Sequence, residues 1–128
     1  TLLQSSAASD VYKRQNFNFD LGEYQVVHYR GDASSDFTIN FRFDGSNSLG
    51  NNVGNDESVT ATLITKNGGT ARKLNDIQID GNGITERYLG GFGAPTGTAN
   101  AYDVYTFTLI KDGGGTWHAY ISYNYYTT

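Results

Sequence analysis

The chain contains no cysteine, which excludes a disulfide framework, a thiolate metal site and a cysteine nucleophile. It has no methionine and one proline. No apolar run approaches the ~20 residues that a membrane-spanning helix needs, so no membrane partner is expected. Basic residues are few and never clustered: nine Lys and Arg stand against 13 Asp and Glu, a net charge of −4 at pH 7. The phosphate-neutralising footprint of a nucleic-acid binder is therefore missing, and nucleic acid is not expected as a partner. Charged residues make up only 17% of the chain against 38% hydrophobic, which excludes a disordered polyampholyte. No window carries the 3.6-residue period of an amphipathic helix.

What is present is the material of short strands and turns. Its 128 residues allow one domain. Ten Tyr, seven Phe and 16 Gly, with many Thr and Asn, favour β-strands joined by glycine turns. Residues 1–15, Thr1-Leu-Leu-Gln-Ser-Ser-Ala-Ala-Ser-Asp-Val-Tyr-Lys-Arg-Gln15, show neither alternation nor amphipathic period and differ sharply in composition from the rest of the chain. They resemble a translated sequencing adapter, and a linker from an upstream domain is the other reading. Either way they are expected to be an unstructured tail, with residues 16–128 forming a single domain. Without Lys13, Arg14 and Asp10 that domain carries seven basic and twelve acidic side chains, net −5.

Residues 36–43 alternate cleanly, with Phe37, Ile39, Phe41 and Phe43 on one face and Thr38, Asn40 and Arg42 on the other, as a half-buried strand requires. Phe17-Asn-Phe19 and residues 24–29 precede it as two short strands or one bulged strand. Residues 44–57 form a polar, glycine-rich loop longer than hairpin connections. Further strands are expected over residues 58–66, 74–79, 84–89, 102–111 and 116–125. Asn67-Gly-Gly and Asp80-Gly-Asn-Gly83 read as hairpin turns, because Asn, Asp and Gly tolerate the positive φ of a type I′ turn. Asp112-Gly-Gly-Gly115 turns the chain back, and residues 90–98 are a loop by composition. About eight short strands without helices predict an all-β fold, an antiparallel β-sandwich or jelly roll.

Chemistry-bearing residues are scattered. His28 and His118 both fall within strands, and Glu23, Glu57 and Glu86 form no motif. There is no nucleophile elbow, paired-histidine metal motif or phosphate-binding loop, so the expectation is a non-enzymatic chain with no catalytic residues, cofactor or metal. Asp44-Gly-Ser-Asn-Ser and Asp80-Gly-Asn-Gly offer oxygens of the kind calcium takes, but neither completes a calcium-loop pattern and both are ordinary turn chemistry. Arg30-Gly31-Asp32 matches a cell-adhesion tripeptide at an ordinary strand end. The tyrosines carry more: Tyr120, Tyr123, Tyr125 and Tyr126 crowd the C-terminal strand, and aromatics on both faces of a strand imply cover on both faces or a contact. Alternation leaves His118 and Tyr120 outward, with Tyr125 and Tyr126 beyond. These four are the candidate interface or ligand-contact residues.

Residues 58–71, Ser-Val-Thr-Ala-Thr-Leu-Ile-Thr-Lys-Asn-Gly-Gly-Thr-Ala, then Ile77-Gln-Ile-Asp-Gly81, Tyr88-Leu-Gly-Gly-Phe-Gly-Ala-Pro95 and Ala99-Asn-Ala-Tyr-Asp-Val-Tyr-Thr-Phe-Thr-Leu-Ile-Lys111 together resemble a β-sandwich domain of tailed-bacteriophage virion proteins, frequent in marine phages as a tail-fibre or other structural C-terminal domain. Tyr88 stands where that pattern has Trp, and Phe92-Gly93 lengthens the loop by a residue. The resemblance implies a structural protein located in the virion, as a tail fibre, tail or capsid-decoration component. It would pack as a homo-oligomer, with a trimer among the options, against other virion proteins, and would serve host recognition where it contacts a receptor. The alternative function is a carbohydrate-binding module that recognises a host cell-surface glycan through exposed aromatics.

Overall fold

The computed structural model describes residues 16–128; the tail expected over residues 1–15 lies outside them. Nine strands follow in order: β1 (Asn16–Asp20), β2 (Val26–Asp32), β3 (Phe37–Arg42), β4 (Glu57–Lys66), β5 (Leu74–Ile79), β6 (Asn82–Gly83), β7 (Thr85–Tyr88), β8 (Ala101–Lys111) and β9 (Trp117–Thr127), with one 3-10 turn at Leu89–Gly91. No α-helix occurs among the described residues. One sheet has the order β1-β3-β5-β6 and the other β2-β4-β8-β9-β7.

The all-β expectation holds, but the sheets are mixed rather than antiparallel. β1 pairs parallel with β3, β3 with β5, β2 with β4, and β7 with β9; only β4–β8, β5–β6 and β8–β9 are antiparallel. The cause lies in the connections. From β1 to β5 the chain changes sheet at every step, so each strand re-enters its sheet beside the last one laid there and running the same way. Parallel neighbours cannot be joined by a tight hairpin, and here the strand in the opposite sheet serves as the crossover. β1 and β2 are accordingly two strands in different sheets.

Asn67-Gly-Gly is not a hairpin either, since β4 and β5 lie in different sheets. Positive φ occurs at Asp80 and Gly81 but not at Asn67, Gly68 or Gly69. Asp80-Gly81 does close the β5–β6 hairpin, with Ile79 opposite Asn82, and Asp112-Gly-Gly-Gly115 closes β8–β9.

The core forms where the inward faces meet. Phe37, Ile39 and Phe41 are buried as their alternation requires, while Phe43 lies past the strand end and is half-buried. Phe41 lies 5.1 Å from Phe107 and Phe37 lies 6.2 Å from Tyr105, both nearly edge to face across the sheets, a favoured aromatic geometry. A small neighbour gives the ring room: Phe107 is flanked by Ala61 of β4 on one side and by Ile121 of β9 on the other. Residues 44–56 are a folded plug rather than a free loop. Leu49 and Val53 are buried, the Asp80 carboxylate accepts from the Leu49 and Gly50 backbone N–H groups at 2.7 and 2.9 Å, and the Lys111 ammonium donates to the Gly50 and Val53 carbonyls at 2.7 and 3.0 Å.

Phe41 touches rings on both sides, Phe19 at 5.2 Å within its sheet and Phe107 across. Phe41→Ala is expected to destabilise the domain by ~3–5 kcal/mol, whereas Thr60→Ala on the exposed face of β4 is expected to change stability by less than ~0.5 kcal/mol. Urea unfolding monitored by tryptophan fluorescence measures both, and equal effects would place Phe41 outside the core.

Candidate functional site

The outward face of the five-stranded sheet is set by strand parity. On β9 the residues sharing the parity of Ala119 and Ile121 point to the core, which turns His118, Tyr120, Ser122, Asn124 and Tyr126 outward. Tyr120 lies opposite Thr108 and Ser122 opposite Thr106, while β7 sets Arg87 beside Tyr120. The Arg87 guanidinium lies 5.6 Å from the Tyr120 ring centroid and its Nη1 donates to His118 Nδ1 at 2.8 Å. His118 Nε2 in turn meets an Asp112 carboxylate oxygen at 2.8 Å. This chain makes Nδ1 the acceptor and Nε2 the donor of a neutral imidazole. Hydrogen bonds from His118 and from the Thr116 and Gly114 backbone hold the Asp112 carboxyl below the usual range. The histidine is thereby a strand-surface connector, with both ring nitrogens occupied.

Two grooves adjoin this row. A shallow one of about 260 Å³ is lined by Arg87, Leu89, Thr106, Thr108, Tyr120 and Ser122 among others. A second, of about 350 Å³, lies on the core side of the β9 edge between Leu89, Phe92, Pro95, Ile121 and Tyr123. Leu89 and Phe92 are 70% and 78% exposed, and Tyr120, Tyr125 and Tyr126 are 46%, 53% and 65% exposed. Of the four candidates taken from the sequence, His118 and Tyr120 meet on one face. Tyr126 shares that face but lies ~20 Å further along at ~3.3 Å per residue, and Tyr125 points to the opposite side. Leu89, Phe92 and Arg87 were not anticipated. The signal available for the first two is a pair of large apolar residues set among glycines, where no strand face could bury them.

Behind the grooves, at the same end of the domain, sits a buried polar network. Asp103 on β8 is fully buried. Its Oδ1 accepts from the Tyr123 hydroxyl at 2.7 Å, and its Oδ2 accepts from Asn67 Nδ2 at 2.8 Å and the Thr98 backbone N–H at 3.3 Å. Thr98 Oγ1 and the Tyr123 hydroxyl lie 2.6 Å apart, and Asn67 Nδ2 also donates to the Thr98 carbonyl at 2.9 Å. Gly97 allows this closure: its φ is +85°, and a Cβ there would lie 2.2 Å from the Arg72 carbonyl oxygen, so only glycine fits. Burial pushes the Asp103 carboxyl above its usual range despite these donors, and burial pushes the Tyr123 phenol up to about 12.

Other acids have structural partners. Glu86 accepts from the Tyr88 hydroxyl at 2.8 Å and the Ile77 backbone N–H at 3.2 Å; burial raises its carboxyl, and a hydrogen bond with Asp76 adds to this. Asp44 accepts from the Ser46 and Asn47 backbone N–H groups, both at 2.8 Å. The Asp44 and Asp80 carboxylates are thus engaged by N–H donors, and among the described residues no cluster of three metal-ligating side chains forms. Asp32 of the Arg-Gly-Asp run lies 3.6 Å from the Lys66 ammonium. No protein-family model, curated protein or solved structure matches the chain.

The Asp103 network predicts a pH signature. A carboxyl whose folded pKa lies above its unfolded value stabilises most below the ordinary Asp value of ~4, and that contribution is lost as pH rises through the folded pKa. Denaturant unfolding across the acid range is expected to show the native chain losing stability relative to Asp103→Asn as pH rises. A pH-independent difference would show that Asp103 titrates as it does in water.

Proposed function

We propose that the chain is a non-enzymatic structural domain of a tailed-phage virion, a two-sheet sandwich that works by packing against copies of itself and neighbouring virion proteins. The observation that carries this reading is the exposed apolar and aromatic surface of Leu89, Phe92 and Tyr120 at one sheet margin. Contiguous surfaces of this kind mark interaction sites, and Phe and Tyr supply contact area with little conformational freedom to lose. The nearest acid–base grouping, Asp112–His118–Arg87, has both imidazole nitrogens engaged, which favours contact over catalysis. The phage reading itself rests on the sequence resemblance through residues 58–111.

Light scattering on the full chain from low to high micromolar concentration tests the packing claim. A self-associated species is expected, and Phe92→Ser is expected to weaken it at least tenfold, because burying a Phe side chain contributes ~1.5–3 kcal/mol. A monomer throughout the range would overturn self-association.

A glycan-binding reading is favoured by one observation, the groove that sets the Tyr120 ring beside the Thr106, Thr108 and Ser122 side chains and Arg87. A sugar ring offers apolar C–H faces to an aromatic and hydroxyls to such a polar rim. Calorimetric titration with host-surface oligosaccharides should then give binding that Tyr120→Ala abolishes and Tyr126→Ala leaves intact. Equal loss in both variants, or no heat at all, would remove this reading.

A further inference from the structure

We propose that two copies of this chain pair edge to edge, each β9 running antiparallel to the other through residues 122–127, so that the two five-stranded sheets become one of ten strands. This rests on the self-association reading above and specifies its geometry. The first observation is an open ladder. On one side β9 is paired with β8 along its whole length, from Lys111–Trp117 to Ala101–Thr127. On the other side β7 covers only His118, Ala119, Tyr120 and Ile121. Beyond Ile121, no backbone group of the described residues bonds to the free side of β9, so every second residue there presents an N–H and a C=O to whatever comes alongside.

The second observation is that this edge lacks the usual protection. Natural sheets blunt free edges with charges, proline or bulges. At the other margin of this sheet β2 carries Arg30 and Asp32 and a register irregularity after His28. β1 carries Asp20, and β7 carries Glu86 and Arg87. Residues 122–127, Ser-Tyr-Asn-Tyr-Tyr-Thr, have no charge, no proline and high β propensity. In a domain of net charge −5 an uncharged stretch is where two identical copies can approach.

The third observation is fit. The lane beside β9 is filled by β7 as far as Ile121 and, among the described residues, has no strand paired along 122–127, and the segment that would enter it from a second copy is that same stretch. A two-fold contact uses one patch twice. Core-facing side chains must remain core-facing across the new ladder, so residues of like parity lie opposite each other and the axis passes through Asn124 or Tyr125. The groove between Leu89, Phe92 and Tyr123 borders this lane on its core side, where it would receive the Tyr125 ring of the second copy. The outward Tyr126 would lie on the second copy's Asn124 or Ser122. Exposed rings at both strand faces and the apolar loop are thereby covered by one contact.

The test uses the full chain. Hydrogen exchange at low and at high micromolar concentration should show every second amide within residues 122–127 slowing at the higher concentration. Light scattering should show a dimer whose dissociation constant rises at least tenfold in Asn124→Lys and is unchanged in Thr60→Lys. Asn124 is exposed, and circular dichroism checks that the variant keeps the fold. An oligomer that Asn124→Lys does not weaken, or amides 122–127 whose exchange ignores concentration, would overturn edge pairing and leave self-association through another surface. A monomer at all concentrations would overturn both.

Discussion

Asp103 is buried and forms no ion pair among the described residues, and the three donors that reach its oxygens come from three different parts of the chain. Asn67 stands where the chain leaves β4 and crosses to β5. Thr98 ends the long loop that follows β7. Tyr123 lies on β9 at the start of its unpaired edge. One carboxylate therefore fixes a sheet crossing, a surface loop and a strand that are far apart in sequence. An ionised group in that position is costly unless its lone pairs are filled. The filling is nearly complete, and the raised carboxyl pKa expresses the burial that remains uncompensated. The network specifies the arrangement of its end of the domain more than it adds to net stability.

The opposite end of the two sheets meets the same problem differently. A chain that changes sheet at each step from β1 to β5 and again from β6 to β7 must repeatedly carry backbone N–H and C=O groups past an apolar interior, and each crossing needs partners. Residues 44–56 make the longest crossing, from β3 to β4. Two charged side chains from elsewhere hold it: the Asp80 carboxylate takes its N–H groups and the Lys111 ammonium takes its carbonyls. Asp80 also occupies the first positive-φ position of the β5–β6 turn. Leu49 and Val53 then close the core beneath. A segment with the composition of a flexible loop is thus a lid on the aromatic core, which explains a polar glycine-rich sequence that carries two buried apolar residues.

How much of this is legible in the sequence depends on what periodicity encodes. Alternation reports which face of a strand is buried, and on that question Phe37, Ile39, Phe41, Tyr105, Phe107 and Leu109 were legible. It does not report which strand lies alongside, so parallel ladders stayed hidden and Asn67-Gly-Gly looked like a hairpin. That tripeptide has the right residues for a turn, but the Asn67 side chain is consumed by Asp103 and Thr98, a tertiary demand that local propensity cannot see. Asp103 itself was within reach: it shares the parity of Tyr105, and carrying the alternation two residues back places a carboxylate in the core. The same parity shows that Tyr125 and Tyr126 face opposite ways. Of the surface residues, Tyr120 was legible from the outward parity of β9, whereas Leu89, Phe92 and Arg87 become a site only through the lane that β7 takes beside β9.

The interior network and the exposed margin bear on each other. Association is opposed by the freedom that loops and side chains lose at a contact, and a frayed strand end or a loose apolar loop would make that loss large. Here Tyr123 is bound to Asp103 and Thr98 from within, which holds the strand entering its unpaired stretch, and Thr98 anchors the far end of the loop that carries Leu89 and Phe92. Both components of the margin are therefore ordered by one buried carboxylate before any partner arrives. Two elements fixed by polar bonds from inside, β9 at Tyr123 and the loop ending at Thr98, are thus the ones that carry the exposed rings outside.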